Sequence, residues 1–137
     1  MTKRLISWNV NGIRAAAKAG LQDWVRSEMP QILCLQETKA YLEQIPEEIT
    51  SLPYKQYFSR PERKGYSGVA LLTREEPLST VHDFHPRFDG EGRLLQAEFP
   101  GFVLLNVYFP NGKASAERLA YKMDFYDAFQ DHCAKLR

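Results

Sequence analysis

Apolar and polar positions divide the chain into a β–α–β opening, a run of strands and a closing helix. Residues 4–10 form a short, β-favouring apolar run that stops at the turn signal Asn11-Gly12. Residues 13–19 are alanine-rich and predict a helix that Gly20 interrupts. Leu21, Trp24 and Val25 then recur on one face of a second helical piece, which Pro30 ends. Ile32-Leu33-Cys34-Leu35 is unbroken apolar sequence followed by the polar Gln36-Glu37-Thr38-Lys39. That is the pattern of a strand buried on both faces with a polar C-terminal end. Two strands joined by a helical crossover predict a parallel pair.

Beyond this opening the rhythm shortens. A short helix is expected within residues 41–51, then strands over 54–59, 67–73, 79–85, 93–99 and 102–109. Turn residues separate them, among them Pro61, Gly65, Pro77, Asp89-Gly90 and Pro100-Gly101. Short turns between successive strands predict antiparallel pairing. His82 and His85, three apart on one such strand, would point to opposite faces. With His132 they read as ordinary surface or boundary residues. Residues 115–137 close the chain as an amphipathic helix with Ser115 as its N-cap. Its apolar arc of Leu119, Met123, Phe125, Tyr126, Phe129, Cys133 and Leu136 is expected to join the core. The class is mixed α/β, a β-rich layer with helices on one face. The other face also needs a cover, and the pattern does not mark a second sheet to provide it. The expectation is therefore an open apolar face, covered by self-association, strand swapping or a further segment.

Composition narrows the class without naming a function. A chain of 137 residues with 44% hydrophobic and 26% charged positions suits one folded domain and excludes a disordered tail. No apolar stretch approaches the roughly 18–20 residues of a membrane span, so no membrane is expected. No secretory signal is visible at the start, and Cys34 and Cys133 read as buried free thiols. Both point to a cytoplasmic protein. A net charge of +1 does not mark a globally basic chain, but the charge is uneven. Lys3, Arg4, Arg14 and Lys18 precede the first acid, Asp23, and Arg60, Arg63 and Lys64 form a second basic cluster.

Candidate chemistry gathers where strands end, because ligands of α/β sheets collect at C-terminal strand ends. The first strand ends in Asn9-Val10-Asn11, the second in Gln36-Glu37, and the last in Tyr108-Phe109-Pro110-Asn111-Gly112. Cys-x-x-Cys pairs, phosphate-loop, His-Glu-x-x-His and Gly-x-Ser-x-Gly motifs are all missing. One carboxylate with side-chain amides suits a hard divalent cation that keeps waters and substrate phosphate as its remaining ligands. Residue types alone leave plainer readings open. Glu37 could pair with Lys39 or Arg14 at the surface, Asn9 and Asn11 could serve the turn, and Tyr108 could be an ordinary strand aromatic.

Four strings occur in order: Trp8-Asn9-Val10-Asn11-Gly12-Ile13-Arg14, Ile32-Leu33-Cys34-Leu35-Gln36-Glu37-Thr38-Lys39, Gly65-Tyr66-Ser67-Gly68-Val69-Ala70-Leu71-Leu72-Thr73 and Asn106-Val107-Tyr108-Phe109-Pro110-Asn111-Gly112. Together they closely resemble the exonuclease III branch of apurinic/apyrimidinic (AP) endonucleases, within the endonuclease/exonuclease/phosphatase superfamily. The resemblance implies one half of a four-layer αββα sandwich of the DNase I-like fold. It implies Glu37 as a metal-binding glutamate, Asn9 as an amide beside that metal, and Tyr108 as a catalytic tyrosine near the scissile phosphate. It places Asn11, Arg14, Tyr66, Ser67, Gly68 and Asn111 along the substrate cleft. Asn11 stands where some members carry Asp, which weakens any second-metal contact.

The activity so implied is hydrolysis of DNA phosphodiesters at AP sites in base excision repair, with Mg²⁺, or Mn²⁺ in its place, as cofactor. A 3′→5′ exonuclease and a 3′-phosphatase activity come with the family, and the partner is double-stranded DNA containing AP sites. The family's later Gly-Asp-x-Asn, catalytic Asp and Ser-Asp-His strings do not occur here. Residues 1–137 are therefore expected to be the N-terminal portion of one domain, inactive by itself, whose partner is the C-terminal half of the same enzyme or a second copy. The alternatives are another phosphoesterase of the superfamily and a non-enzymatic half-domain.

Overall fold

The computed structural model describes residues 2–137. Its opening follows the crossover logic. Strand β1 (Leu5–Asn9) leads through helices α1 (Ile13–Lys18) and α2 (Leu21–Glu28) to β2 (Ile32–Gln36), which lies parallel to β1. Gly20 separates the two helices with a left-handed backbone (φ 100°). A single turn of 3₁₀-helix (Leu42–Gln44) and the short α3 (Glu47–Thr50) replace the one helix expected within 41–51. Strands β3 (Lys55–Phe58) and β4 (Val69–Thr73) follow, and the first sheet runs β1-β2-β4-β3.

The strands after β4 depart from the expected single layer. β5 (Ser79–Val81), β6 (Leu94–Phe99) and β7 (Phe102–Val107) form a separate three-stranded antiparallel sheet. β4 instead pairs with β2, antiparallel, so successive strands are not all neighbours. The second sheet covers the inner face of the first. Ile32, Cys34, Val69 and Leu71 pack on Leu95, Ala97 and Phe99, while Leu33, Leu35, Ala70 and Leu72 pack under α1, α2 and α3 on the opposite face. This explains the unbroken apolar runs of β2 and β4, which are buried on both sides. The expectation of an uncovered inner face is thus corrected. β6 alternates, with Leu95 and Ala97 inward and Gln96 outward, a signal that marks a sheet packed on one face by another.

Helix α4 (Ala116–Lys135) lies over the outer face of the second sheet. The N-cap is Ser115, as expected, its Oγ accepting from the Arg118 amide at 3.1 Å. Phe125 is buried among Phe84, Phe88, Phe109 and Phe129, and His132 meets Gln96 of β6 at 2.7 Å. The rest of the expected apolar arc does not join the core: Leu119 and Met123 stay about half exposed (50% and 51%), and Tyr126 and Leu136 are exposed too. A three-stranded sheet is too narrow to bury so wide an arc. Cys133 is likewise only partly buried, whereas Cys34 is buried as expected. Because β5 stops at Val81, His82 and His85 lie in the following loop rather than on a strand. The result is helices, sheet, sheet and helix, four layers within 137 residues. Among the described residues no helix is long and apolar enough to cross a membrane.

Candidate active site

Strand register brings the polar ends together. Asn9 at the end of β1 pairs with Gln36 at the end of β2, and Val69 at the start of β4 pairs with Gln36 from the other side. Glu37 and the 66–68 segment therefore emerge at one edge. The loops are then laced by backbone hydrogen bonds: Gly12 N–H to Glu37 carbonyl (2.7 Å), Ile13 to Thr38 (2.9 Å), Thr38 to Gly68 (3.0 Å) and Lys39 to Ser67 (2.8 Å). The lacing holds Asn11, Glu37, Lys39 and Ser67 at positive φ between 48° and 58°. Left-handed backbone is costly for residues with a side chain, at roughly 1–2 kcal/mol each, and its concentration here marks a site whose shape is imposed by its surroundings. Gly68 (φ 92°) is required at its position, because a Cβ would collide with Thr38 Oγ1.

The second sheet delivers the phenol. Asn106 is buried in β7, and its Nδ2 donates across the layers to the carbonyls of Ala70 (2.7 Å) and Leu35 (3.3 Å). Its Oδ1 accepts from Gln36 Nε2 at 2.8 Å. This polar pin fixes the register of one sheet over the other, and two residues later Tyr108 leaves β7 with its hydroxyl donating to Glu37 Oε1 at 2.7 Å. Asn9 Nδ2 reaches the same oxygen at 3.4 Å, and Asn9 Oδ1 caps the turn by accepting from the Asn11 amide at 3.0 Å. Lys39 Nζ lies 3.1 Å from Glu37 Oε2 and donates to Asn11 Oδ1 at 2.7 Å.

Charge follows geometry. Burial works to raise the Glu37 carboxyl, but hydrogen bonds from Tyr108, Lys39 and Asn9, with the Lys39 charge, outweigh it and hold it below its ordinary value. The Tyr108 phenol is pushed up to about 12, first by burial and then by its hydrogen bond to Glu37 and the charge there. At neutral pH the pair is an ionised carboxylate and a neutral phenol whose proton points at it. Carboxylate and amide oxygens suit a hard divalent cation, and Glu37 offers them with the amides of Asn9 and Asn11 nearby, although here Asn9 Oδ1 accepts from the Asn11 amide and Asn11 Oδ1 from Lys39 Nζ. The Lys39 ammonium against Oε2 is the surface ion pair that the residue types alone leave open for Glu37. Among the described residues no group of three or more His, Cys, Asp and Glu side chains converges on a metal position.

The remaining sequence-marked residues fall in three places. Arg14 stands on α1 and joins the centre indirectly, its Nη2 donating to the Lys39 carbonyl at 2.9 Å. Tyr66 and Asn111 lie across a cleft of about 520 Å³ also lined by Arg63, Lys113 and Arg118. Ser67 is not at the surface: it is buried, and its hydroxyl finds no partner among the described residues. Asn111 Oδ1 accepts from the Lys113 amide at 2.8 Å, closing a local turn. Sequence reading did not single out Arg93 or the pinning role of Asn106. Asn106 carried a signal, a lone polar residue inside Leu104-Leu105-Asn106-Val107. Arg93 carried none, since its importance comes from lying opposite Tyr108 across two strands.

Comparison with known proteins bears on the chain as a whole. The family model described as "Endonuclease/Exonuclease/phosphatase family" matches residues 6–136. The chain is 43% identical over 123 residues to a protein of Danio rerio named DNA repair nuclease APEX1, a match covering 87% of this chain and 40% of that protein. It is 35% identical over 135 residues to an exodeoxyribonuclease of Bacillus subtilis, covering 97% of this chain and 53% of that one. The solved structure of an AP endonuclease from Archaeoglobus fulgidus superposes with a TM-score of 0.85 at 30% identity, over 98% of this chain and 52% of that chain. The chain thus spans about half the length of the relatives it matches. With the family model covering nearly all of it and the strand ends meeting at one carboxylate–phenol centre, the chain belongs to the endonuclease/exonuclease/phosphatase family.

Proposed function

We propose that residues 1–137 form the N-terminal portion of a divalent-metal-dependent phosphodiesterase domain acting on double-stranded DNA at AP sites. The observation that carries this reading is the Tyr108–Glu37 hydrogen bond, held by Asn9 and Lys39 at the joined ends of two sheets. The DNA-repair and exodeoxyribonuclease relatives supply the substrate class. Glu37, with Asn9 beside it, would hold Mg²⁺, or Mn²⁺, and when bound the cation supplies Lewis-acid neutralisation of phosphate charge.

The chain's own residues do the rest of what this half can do. Tyr108 keeps its proton through the physiological range and turns it from Glu37 toward a phosphate oxygen, a preorganised donor at the reacting centre. The Lys39 ammonium balances Glu37 and lies within reach of the same negative charge. Arg63, Lys113 and Arg118 line the neighbouring cleft, where they contact flanking phosphates in a salt-dependent, sequence-independent way. Tyr66 and Asn111 line the same cleft, and Asn11, Arg14 and Gly68 border the centre beside it. Ser67, buried, shapes the loop from beneath. Among the described residues Glu37 is the one carboxylate at the centre, and no second acid or histidine beside it is placed to activate water. That function, and further metal ligands, come from the C-terminal half of the domain.

The test is incision of a duplex carrying one AP site by this chain joined to its C-terminal half. A plain duplex and an inositol phosphate serve as competing substrates, and EDTA serves as the metal control. Preferred, EDTA-sensitive cutting at the AP site supports the reading. Equal or better turnover of the inositol phosphate assigns the chain to another phosphoesterase of the family. No turnover of any substrate leaves only a binding role.

A further inference from the structure

Arg93 is a buried cation (2% exposed) immediately before β6. All three of its nitrogens are engaged. Nε donates to Glu91 Oε1 at 2.9 Å, Nη1 to the Tyr108 carbonyl at 3.1 Å, and Nη2 to the Tyr66 hydroxyl at 2.7 Å. The guanidinium also lies 5.0 Å from the Tyr108 ring centroid and 5.4 Å from that of Tyr66. Its own carbonyl accepts the Tyr108 amide at 2.8 Å, so Tyr108 is held at both backbone groups by one residue. A buried arginine needs such complete pairing, and a planar fork provides it where an ammonium would not.

Tyr66 belongs to the cleft and Tyr108 to the reacting centre. Tyr66 also accepts from Arg118 Nη2 at 3.0 Å, so cationic donors occupy its oxygen and leave its own proton free for a ligand. We propose that Arg93 is a positioning residue that couples the Tyr66 loop to Tyr108, so that a contact made in the cleft is transmitted to the catalytic phenol. The mechanical link is the rigid guanidinium plane, which cannot follow Tyr66 without moving the Tyr108 carbonyl. The proposal rests on the catalytic reading of Tyr108. Its test is spectroscopic, so failure of the coupling and failure of the incision assay are separate results.

The experiment labels the ring ζ-carbon of the seven tyrosines of the chain and follows them by NMR. Tyr66→Phe is expected to shift the Tyr108 resonance. The control Tyr41→Phe, at a hydroxyl that donates to the Glu62 carbonyl away from Arg93, is expected to leave it in place. In an Arg93→Lys background, which keeps the charge and loses the fork, the effect of Tyr66→Phe on Tyr108 is expected to vanish. An unmoved Tyr108 in Tyr66→Phe overturns the proposal whether or not Arg93→Lys folds. A shift of equal size in the Arg93→Lys background overturns it as well, since the two rings would then communicate without the arginine.

Discussion

At the scale of single residues, the site is a contest for one carboxylate. Glu37 receives Tyr108 and Asn9 on Oε1 and Lys39 on Oε2, and these hold its titration midpoint below the ordinary value near 4.5 against the opposing effect of burial. Removing the phenol removes one of the stabilising donors. Tyr108→Phe is therefore expected to raise the Glu37 titration midpoint, read from its side-chain carboxyl carbon by NMR. The sign extends to stability. A carboxyl depressed in the folded state contributes stability above its unfolded value, and that contribution is lost as pH falls through the folded value. The wild-type chain should accordingly lose denaturant resistance below about pH 4.5 more than Tyr108→Phe does. An unmoved midpoint would show that the hydrogen bond does not set the charge of the centre. Under the proposed function, the same substitution in the chain joined to the proposed C-terminal half should lower AP-site incision by roughly 10²–10³, the range for losing one preorganised donor.

At the scale of elements, two side chains decide how the sheets meet. Asn106 is buried in an otherwise apolar strand, bonded to two carbonyls of the facing sheet and to Gln36. Asn106→Leu should lower unfolding free energy by about 1–3 kcal/mol in urea denaturation, because it removes the side-chain donor to the Ala70 and Leu35 carbonyls and one of the two acceptors of Gln36 Nε2, and forces a branched side chain into the pin. A neutral result would mean the sheets keep register by packing alone. Cys34, on β2 between the sheets, has its thiol pushed up to about 11 by burial, whereas Cys133 on α4 is only partly buried. A disulfide reagent should modify Cys133 in the native chain and reach Cys34 only on unfolding, so a mass spectrum showing early Cys34 labelling would contradict the two-sheet core.

These elements also show what a single sequence can carry. The β–α–β opening was legible because its apolar period, Asn11-Gly12, Gly20 and Pro30 are local signals. The double burial of residues 32–35 was legible too, but its cause was not. The covering sheet consists of short antiparallel strands, and nothing local says which sheet a strand joins. That missing fact explains the expectation of an open face and of a core-bound apolar arc on α4. At the centre, Glu37, Asn9 and Tyr108 were found through their place at strand ends and through the family strings. Arg93 was not, because its partners lie 2, 15 and 27 positions away and meet only in three dimensions.

At the scale of the whole molecule, each sheet keeps two unpaired edges among the described residues, β1 and β3 in the first and β5 and β7 in the second. β1 and β7 are the two that border a common apolar groove. Between them runs a groove of about 380 Å³ whose lining includes Leu5, Leu105, Val107, Phe109 and Phe129. Leu5 and Trp8 on β1 are 44% and 42% exposed. Unprotected edges with apolar neighbours recruit other strands, and natural sheets otherwise blunt them with charge, proline or a cover. Neither edge here carries a charge or a proline within its strand. The isolated chain should therefore associate with itself as its concentration rises, seen as increasing mass in sedimentation velocity. Addition of the proposed C-terminal half should replace that self-association with a defined one-to-one complex. Substituting Leu5 and Val103 with lysine on the two edges should suppress both. A chain that stays monomeric at high concentration and ignores its complement would show that the edges are adequately solvated as they stand. The proposed assembly of the active site from two halves would then lose its structural basis.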